Sequence, residues 1–126
     1  MIRKETEKRI LKFRDDRDWR QFHNPKDLAI SLSLEAAEVL EIFQWSGTAT
    51  EIPEKNEALA EEIADVMIYC EMLCDRLGLS ADDIINRKMT KNETKYNVAK
   101  AKGKSRNTQN FDFSENDFSV KICEVT

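Results

Sequence analysis

Two short acidic motifs hold the side chains in this chain that are best suited to chemistry. The segment "LEAAEVLEIFQW", residues 34–45, places Glu35 and Glu38 in an E-x-x-E spacing. The segment "EEIADVMIYC", residues 61–70, places Glu62 and Asp65 in an E-x-x-D spacing. Carboxylate oxygens are the ligands that Mg²⁺ and Mn²⁺ prefer in proteins. The motifs therefore indicate a divalent metal site, provided that two helices bring them together.

Each acid pair borders the apolar stripe of its own segment when residues advance by about 100° along a helix. The stripe beside the first pair contains Leu28, Leu32, Ala36, Val39 and Phe43, and the stripe beside the second contains Leu59, Ile63, Val66, Cys70, Leu73 and Leu77. If both stripes pack against one core, the two acid edges converge on one groove. Four converging carboxylates repel each other, so they must either take up protons or bind a cation.

The acidic residues, the histidine and the cysteines also permit interpretations other than a Mg²⁺ or Mn²⁺ site. Two Glu residues three positions apart on an exposed helix face are common as solvated surface charges. A di-iron site uses Glu-x-x-His pairs, and the single histidine, His23, lies in "FHNP" outside any such pair. The three cysteines, at positions 70, 74 and 123, form no zinc-binding spacing. We interpret Cys70 and Cys74 as small core residues of a protein in the reducing cytoplasm.

Four helices are predicted to position these side chains. With 126 residues, 40% of them hydrophobic, three Gly and two Pro, the composition favours one all-α domain. The predicted helices cover about residues 3–18, 26–45, 54–77 and 81–100. Their boundaries follow from Asn24-Pro25, Gly47 with Pro53, Gly78, and a capping box formed by Ser80 and Asp83.

The remaining composition excludes several classes of function. The net charge of -4 argues against a general nucleic-acid binder. No stretch approaches the roughly 18 apolar residues that a membrane span requires, and the sequence predicts neither secretion nor membrane insertion. From Gly103 onward the composition changes, and residues 107–126 are predicted to form a short extended or β-hairpin tail after a domain of residues 1–106. The role of that tail is open.

Three segments together resemble a known enzyme family: "RDWRQFHNPKDLAISLSLEAAEVLEIFQW", "EEIADVMIY" and "KMTKNETKY". They resemble the MazG-like all-α nucleoside triphosphate pyrophosphohydrolases, and most closely their single-domain dCTP pyrophosphatase branch, over about residues 10–100. The resemblance implies a four-helix bundle-like fold, a homodimer or homotetramer, and Mg²⁺ held by Glu35, Glu38, Glu62 and Asp65 as metal ligands and catalytic residues. It also implies cleavage between the α- and β-phosphates by a metal-activated water.

The resemblance assigns two groups of substrate-binding residues: a nucleotide pocket of Trp19, His23, Trp45 and Tyr69, and a phosphate- or sugar-binding group of Lys88, Asn92, Lys95 and Tyr96. On the helical wheel, Trp45 and Tyr69 fall on the acid-bearing edges of the second and third helices. The alternatives are core packing for Trp19, a structural role for His23, and a solvated basic surface for the second group. Many relatives carry a further Glu at the position of Leu34, so the number of metal ions is open.

The predicted reaction is hydrolysis of a dCTP-like triphosphate to the monophosphate and pyrophosphate, which removes surplus or modified nucleotides. A related all-α hydrolase acting on dUTP or phosphoribosyl-ATP is the nearest alternative. A non-catalytic helical module that uses the basic face of residues 87–106 is the alternative from another class.

Overall fold

The computed structural model of the chain describes residues 2–104, and helices are the only regular secondary structure in that range. The α-helices are α1 (Lys4–Asp16), α2 (Pro25–Glu41), α3 (Asn56–Arg76), α4 (Ala81–Lys95) and the short α5 (Val98–Ala101). Two 3₁₀ helices, Arg20–Phe22 and Pro53–Lys55, precede α2 and α3. The predicted all-α class is confirmed. The predicted tail at 107–126 and Cys123 lie outside the described residues.

The helix boundaries that depend on local capping chemistry agree with the prediction. The Asn24 side chain accepts a hydrogen bond of 2.9 Å from the Asp27 N–H, and Pro25 occupies the first position of α2. Gly78 follows α3 with a positive φ of 66°, which favours glycine. Ser80 Oγ accepts a hydrogen bond of 3.3 Å from the Asp83 N–H at the start of α4.

Two predicted helices extend too far. α2 ends at Glu41 rather than near residue 45, because the following hydrogen bonds join residues three positions apart instead of four. Phe43 N–H donates to Leu40 O and Gln44 N–H donates to Glu41 O, both at 3.0 Å. The predicted fourth helix is interrupted after Lys95. There the Asn97 side chain accepts a hydrogen bond of 3.1 Å from the Lys100 N–H and begins α5.

The chain divides into two compact units, Met1–Ile84 and Ile85–Thr126. In the first unit, α2 packs along α3, and α1 packs against α3 as well. Leu28 on α2 and Met72 on α3 are the buried apolar side chains in the described part of the chain. The second unit contains the rest of α4 and α5. None of the helices within residues 2–104 is long and apolar enough to cross a membrane.

Cys70 and Cys74 agree with the interpretation as packing residues. Both are unpaired thiols that lie half-buried on α3. Burial, followed by the nearby charge of Glu71, raises the pKa of both thiols. A thiol with a raised pKa is mostly protonated at neutral pH and is a poor nucleophile or metal ligand.

Candidate active site

The packing of α2 along α3 brings carboxylates from the two acidic motifs together. One carboxylate oxygen from each of Glu35, Glu62 and Asp65 lies within 4.8 Å of the corresponding oxygens of the other two. Glu35 and Glu62 are half-buried, whereas Asp65 is exposed. Because three oxygens at this separation can contact one cation, the arrangement suits a metal ion that prefers oxygen ligands.

Glu38, one turn after Glu35, is electrostatically part of the same group. Partial burial raises the pKa of Glu35, and the charges of Glu38 and Asp65 raise it further. A hydrogen bond with the Glu38 carboxyl is the main cause that raises the pKa of Glu62, followed by burial and by the neighbouring charges. We call Glu35, Glu38, Glu62 and Asp65 the acid cluster. A cation bound in the cluster would offset the repulsion between these charges, which contributes to the raised pKa values.

The acid cluster should destabilise the protein when no metal is present. Because Glu35 and Glu62 have pKa values raised above 4.5, the folded state binds more protons than the unfolded chain, and stability falls as the pH rises through the raised values. Glu38→Gln removes one charge and provides an amide that can donate to Glu62. We expect the metal-free variant to melt a few degrees above the unsubstituted protein at pH 8. In a thermal melt, the exposed Glu61→Gln serves as control, and an unchanged or lower Tm for Glu38→Gln would contradict the cluster.

A cavity of about 920 Å³ extends from the acid cluster along α1 and α3 within the first unit. Glu35 and Asp65 lie at its wall together with Trp19, His23 and Tyr69. The other lining residues are mainly apolar: Ile2, Arg3, Thr6, Arg9, Ile10, Phe13, Ala64, Met67, Ile68 and Met72. An apolar cavity with a few polar groups at one part of its wall is typical of a small-molecule binding site.

Phe13, Trp19 and His23 form one side of this cavity, which we call the aromatic wall. The rings of Phe13 and Trp19 meet edge to face with centroids 5.7 Å apart, and the centroids of Trp19 and His23 are 6.5 Å apart. His23 Nδ1 is buried and has no hydrogen-bond partner among the described residues. A ligand that enters the cavity can provide that partner.

His23 should remain neutral at physiological pH. Burial lowers its pKa below 6.5, and the positive charge of Arg14 lowers it further. The folded state therefore loses stability relative to the unfolded chain as the pH falls from 6.5 through the lowered value. Because the chain has a single histidine, its imidazole protons can be followed without ambiguity in an NMR titration. We expect a midpoint below that of the same histidine in urea-unfolded protein, and an equal or higher midpoint would contradict the burial.

The remaining predicted substrate-binding residues have different placements. Tyr69 lines the cavity. Trp45 lies beyond the end of α2, is 86% exposed and does not line the cavity, so its predicted position on the edge of a helix is wrong. Lys88, Asn92 and Lys95 lie on α4 and Tyr96 directly follows it, all in the second unit. The Lys95 ammonium nitrogen is 5.4 Å from the centre of the Tyr96 ring. The roles assigned to Trp45 and to this group remain predictions.

Two features of the structure were not predicted from the sequence, one in the cavity and one beside it in the first unit. α1 contributes Thr6, Ile10 and Phe13 to the cavity, and their spacing of four and three places them on one face of the helix. That spacing was available in the sequence. The second feature is an ion pair between the buried Arg14 on α1 and the partly exposed Asp75 on α3, 61 residues apart. Nothing distinguishes Arg14 from the many other charged residues of α1 in the sequence alone.

Comparison with known proteins identifies relatives of the chain. A sequence model of the MazG-like family matches residues 30–111. Mouse dCTP pyrophosphatase 1 is 35% identical over 96 residues, which cover 72% of this chain and 56% of that protein. The human dCTP pyrophosphatase 1 is 35% identical over 99 residues, which cover 75% and 58% of the two chains. The chain thus spans somewhat more than half the length of these relatives.

A solved structure is also similar to this chain. The crystal structure of a pyrophosphatase from Archaeoglobus fulgidus superposes with a TM-score of 0.62 and 42% sequence identity. The matched region covers 74% of this chain and 90% of the archaeal chain. At this level of identity the likeness extends beyond the helical fold to the sequence.

Proposed function

Because the chain belongs to the MazG-like family, we propose that it is a nucleoside triphosphate pyrophosphohydrolase that converts dCTP or a similar deoxynucleotide into the monophosphate and pyrophosphate. One observation supports this proposal most strongly: three carboxylates lie within 4.8 Å of one another, and two of them, Glu35 and Asp65, line a cavity that also contains the aromatic wall. The relatives are named for the same chemistry. In a cell, such an activity removes surplus or modified nucleotides before they are incorporated.

The acid cluster fits a hard divalent cation, and we propose Mg²⁺, with Mn²⁺ as a possible substitute. Glu35, Glu62 and Asp65 would hold the ion, and Glu38 would complete the ligand set. The donor set is composed of carboxylate oxygens, as Mg²⁺ prefers, and it contains neither sulfur nor imidazole. When bound, Mg²⁺ would lower the pKa of a water molecule and offset negative charge on phosphate oxygens.

The residues of the chain itself provide binding and orientation. Trp19 and Tyr69 present flat rings on which a base can stack, and the neutral His23 offers one donor and one acceptor nitrogen to the edge of the base. The apolar lining excludes water from around the base. One carboxylate of the acid cluster can also orient the attacking water. We further propose that Lys88, Asn92, Lys95 and Tyr96 contact the phosphates or the sugar, and that Trp45 contacts the nucleotide together with Trp19, His23 and Tyr69.

Product analysis tests the proposed reaction. Purified protein with Mg²⁺ is incubated with dCTP, dUTP and the other common and modified triphosphates, and the products are separated by ion-exchange chromatography. We expect dCMP and pyrophosphate, with dCTP or a modified dCTP as the preferred substrate. Release of orthophosphate with dCDP, or no turnover of any triphosphate while oligonucleotides bind in a salt-dependent manner, would contradict the proposal.

We also propose that the protein is a homodimer or homotetramer located in the cytoplasm. Large apolar side chains remain exposed on α2, including Leu34 at 60% and Leu40 at 69%. Exposed apolar surface of this kind is typical of a face that another subunit covers. Light scattering at micromolar concentration should therefore give two or four times the chain mass of 14.7 kDa. A monomer mass under these conditions would contradict self-association.

A further inference from the structure

A buried arginine ties the last turn of α1 to the last turns of α3. The Arg14 side chain is only 4% exposed, and its Nη1 donates to Asp75 Oδ2 at 2.6 Å while its Nε donates to Asp15 Oδ1 at 2.8 Å. Hydrogen bonds between guanidinium and carboxylate are among the strong ones in proteins, and loss of one partner leaves a buried charge. Arg14 is therefore held in one position relative to α3.

The main chain of the same residue anchors the aromatic wall. The Arg14 carbonyl accepts hydrogen bonds from the Arg17 N–H at 3.3 Å and from the Trp19 N–H at 3.1 Å. The main chain of Trp19 is thus bound to Arg14, whose side chain is in turn bound to Asp75 on α3. The neighbouring Phe13 packs its ring edge to face with Trp19, so both rings depend on the position of Arg14.

The turn that carries Trp19 and His23 is itself held by hydrogen bonds. Asp18 has a positive φ of 54°, which a residue other than glycine adopts at a cost, and its carbonyl and carboxylate accept from Gln21 Nε2 at 3.0 and 2.8 Å. The Arg20 carbonyl then accepts from the His23 N–H at 3.2 Å. Residues 14–23 consequently form a segment that hydrogen bonds connect to Arg14.

The helix to which this segment is tied also carries the acid cluster. Asp75 lies on α3 together with Glu62, Asp65 and Tyr69. The helix rises about 1.5 Å per residue, so the stretch of α3 between the carboxylates and Asp75 is short and rigid. The Arg14–Asp75 ion pair therefore fixes the distance between the aromatic wall and the carboxylates. That distance determines whether a base can stack while its triphosphate reaches the acid cluster.

We propose that Asp75, acting through Arg14, is a positioning residue on which binding of the nucleotide base in the cavity depends. This inference rests on the proposed function. Loss of the ion pair lets the segment carrying Trp19 and His23 shift away from α3, which weakens binding of the base but leaves the carboxylates in place. The effect falls on KM for substrates that have a base and leaves kcat unchanged.

The test compares a substrate that has a base with one that lacks it. Asp75→Ala is assayed with dCTP and with 2-deoxyribose 5-triphosphate, which presents the same phosphates and sugar without a base. We expect KM for dCTP to rise about tenfold, with kcat and all constants for the base-free triphosphate within about twofold of the unsubstituted protein. The matched control is Asp16→Ala, which removes an exposed carboxylate paired with Lys12 at the end of α1. This substitution should leave KM and kcat for both substrates unchanged.

A second measurement follows the aromatic wall without turnover. In protein that carries Trp45→Phe, tryptophan emission reports Trp19 alone, because the chain has two tryptophans. Asp75→Ala should shift that emission to longer wavelength as the ring becomes more hydrated, and Asp75→Glu should restore part of the original spectrum. If the unsubstituted protein fails to hydrolyse dCTP, the proposed function is wrong, yet this spectrum still tests the link between Asp75 and Trp19.

Several results would overturn the inference. Equal loss with dCTP and with the base-free triphosphate would show that the ion pair serves stability alone, and a fall in kcat at constant KM would show a different role. If Asp75→Ala does not fold, Asp75→Asn replaces it, since the asparagine keeps an oxygen that accepts from Arg14. This variant should show a smaller rise in KM for dCTP, again without a change for the base-free triphosphate. An unshifted Trp19 emission spectrum in Asp75→Ala or in Asp75→Asn would also contradict the positioning role.

Discussion

Glu62→Gln should reduce turnover of dCTP by about three orders of magnitude, since charge stabilisation by a bound metal ion is worth several kcal/mol of transition-state energy. The substitution keeps nearly the same shape but removes a negative charge from the three oxygens that lie within 4.8 Å of one another. Steady-state kinetics with dCTP and Mg²⁺, followed by the release of pyrophosphate, measures the effect.

The adjacent Glu61 provides the matched control for this prediction. Glu61 is exposed on α3 and is not among the residues whose oxygens converge. Glu61→Gln should retain turnover close to that of the unsubstituted protein. If Glu62→Gln keeps more than a tenth of the turnover of the unsubstituted protein, the acid cluster is not the catalytic centre. A non-catalytic helical module would then explain the chain better.

Trp19→Ala should have the second largest effect, seen mainly in KM. Stacking of a base on an aromatic side chain is worth about 1–3 kcal/mol by alanine substitution, which corresponds to roughly fivefold to 150-fold in KM. Trp19 lines the cavity and is 42% exposed, so its ring is accessible to a ligand. The measurement is KM for dCTP compared with KM for the base-free triphosphate, which should not change.

Phe22→Ala is the control for Trp19→Ala. Phe22 lies in the 3₁₀ helix that directly follows Trp19 and is 62% exposed, but it does not line the cavity. The two variants remove aromatic surface of comparable size from the same turn. Equal effects of both substitutions on KM would indicate that the turn, and not the Trp19 ring, is responsible.

The parts of the fold that the sequence predicts correctly are those set by neighbouring residues. Asn24 with Pro25, Gly78 and Ser80 each act within a few positions of a helix end, so their chemistry can be recognised in the sequence. The convergence of Glu35, Glu62 and Asp65 could be predicted for a related reason. The acids border apolar stripes, and two such stripes bury their surface by packing together.

The features that escaped prediction depend on tertiary contacts or on competition between similar local structures. Apolar spacing continues through Phe43, so the periodicity did not reveal that the backbone leaves the α-helix after Glu41 and that Trp45 is not part of α2. The pairing of Arg14 with Asp75 joins residues 61 positions apart. No pattern in one sequence selects that partner among the other carboxylates of the chain.

Calorimetric titration with Mg²⁺ in the presence of a non-hydrolysable dCTP analogue tests the central claim most directly. Because the carboxylates of Glu35, Glu62 and Asp65 crowd together, we expect saturable Mg²⁺ binding to the unsubstituted protein, and weak or undetectable binding to Asp65→Asn. The Glu61→Gln variant should bind as the unsubstituted protein does. Absence of Mg²⁺ binding by the unsubstituted protein, with and without the analogue, would contradict the proposal that these carboxylates form a metal centre.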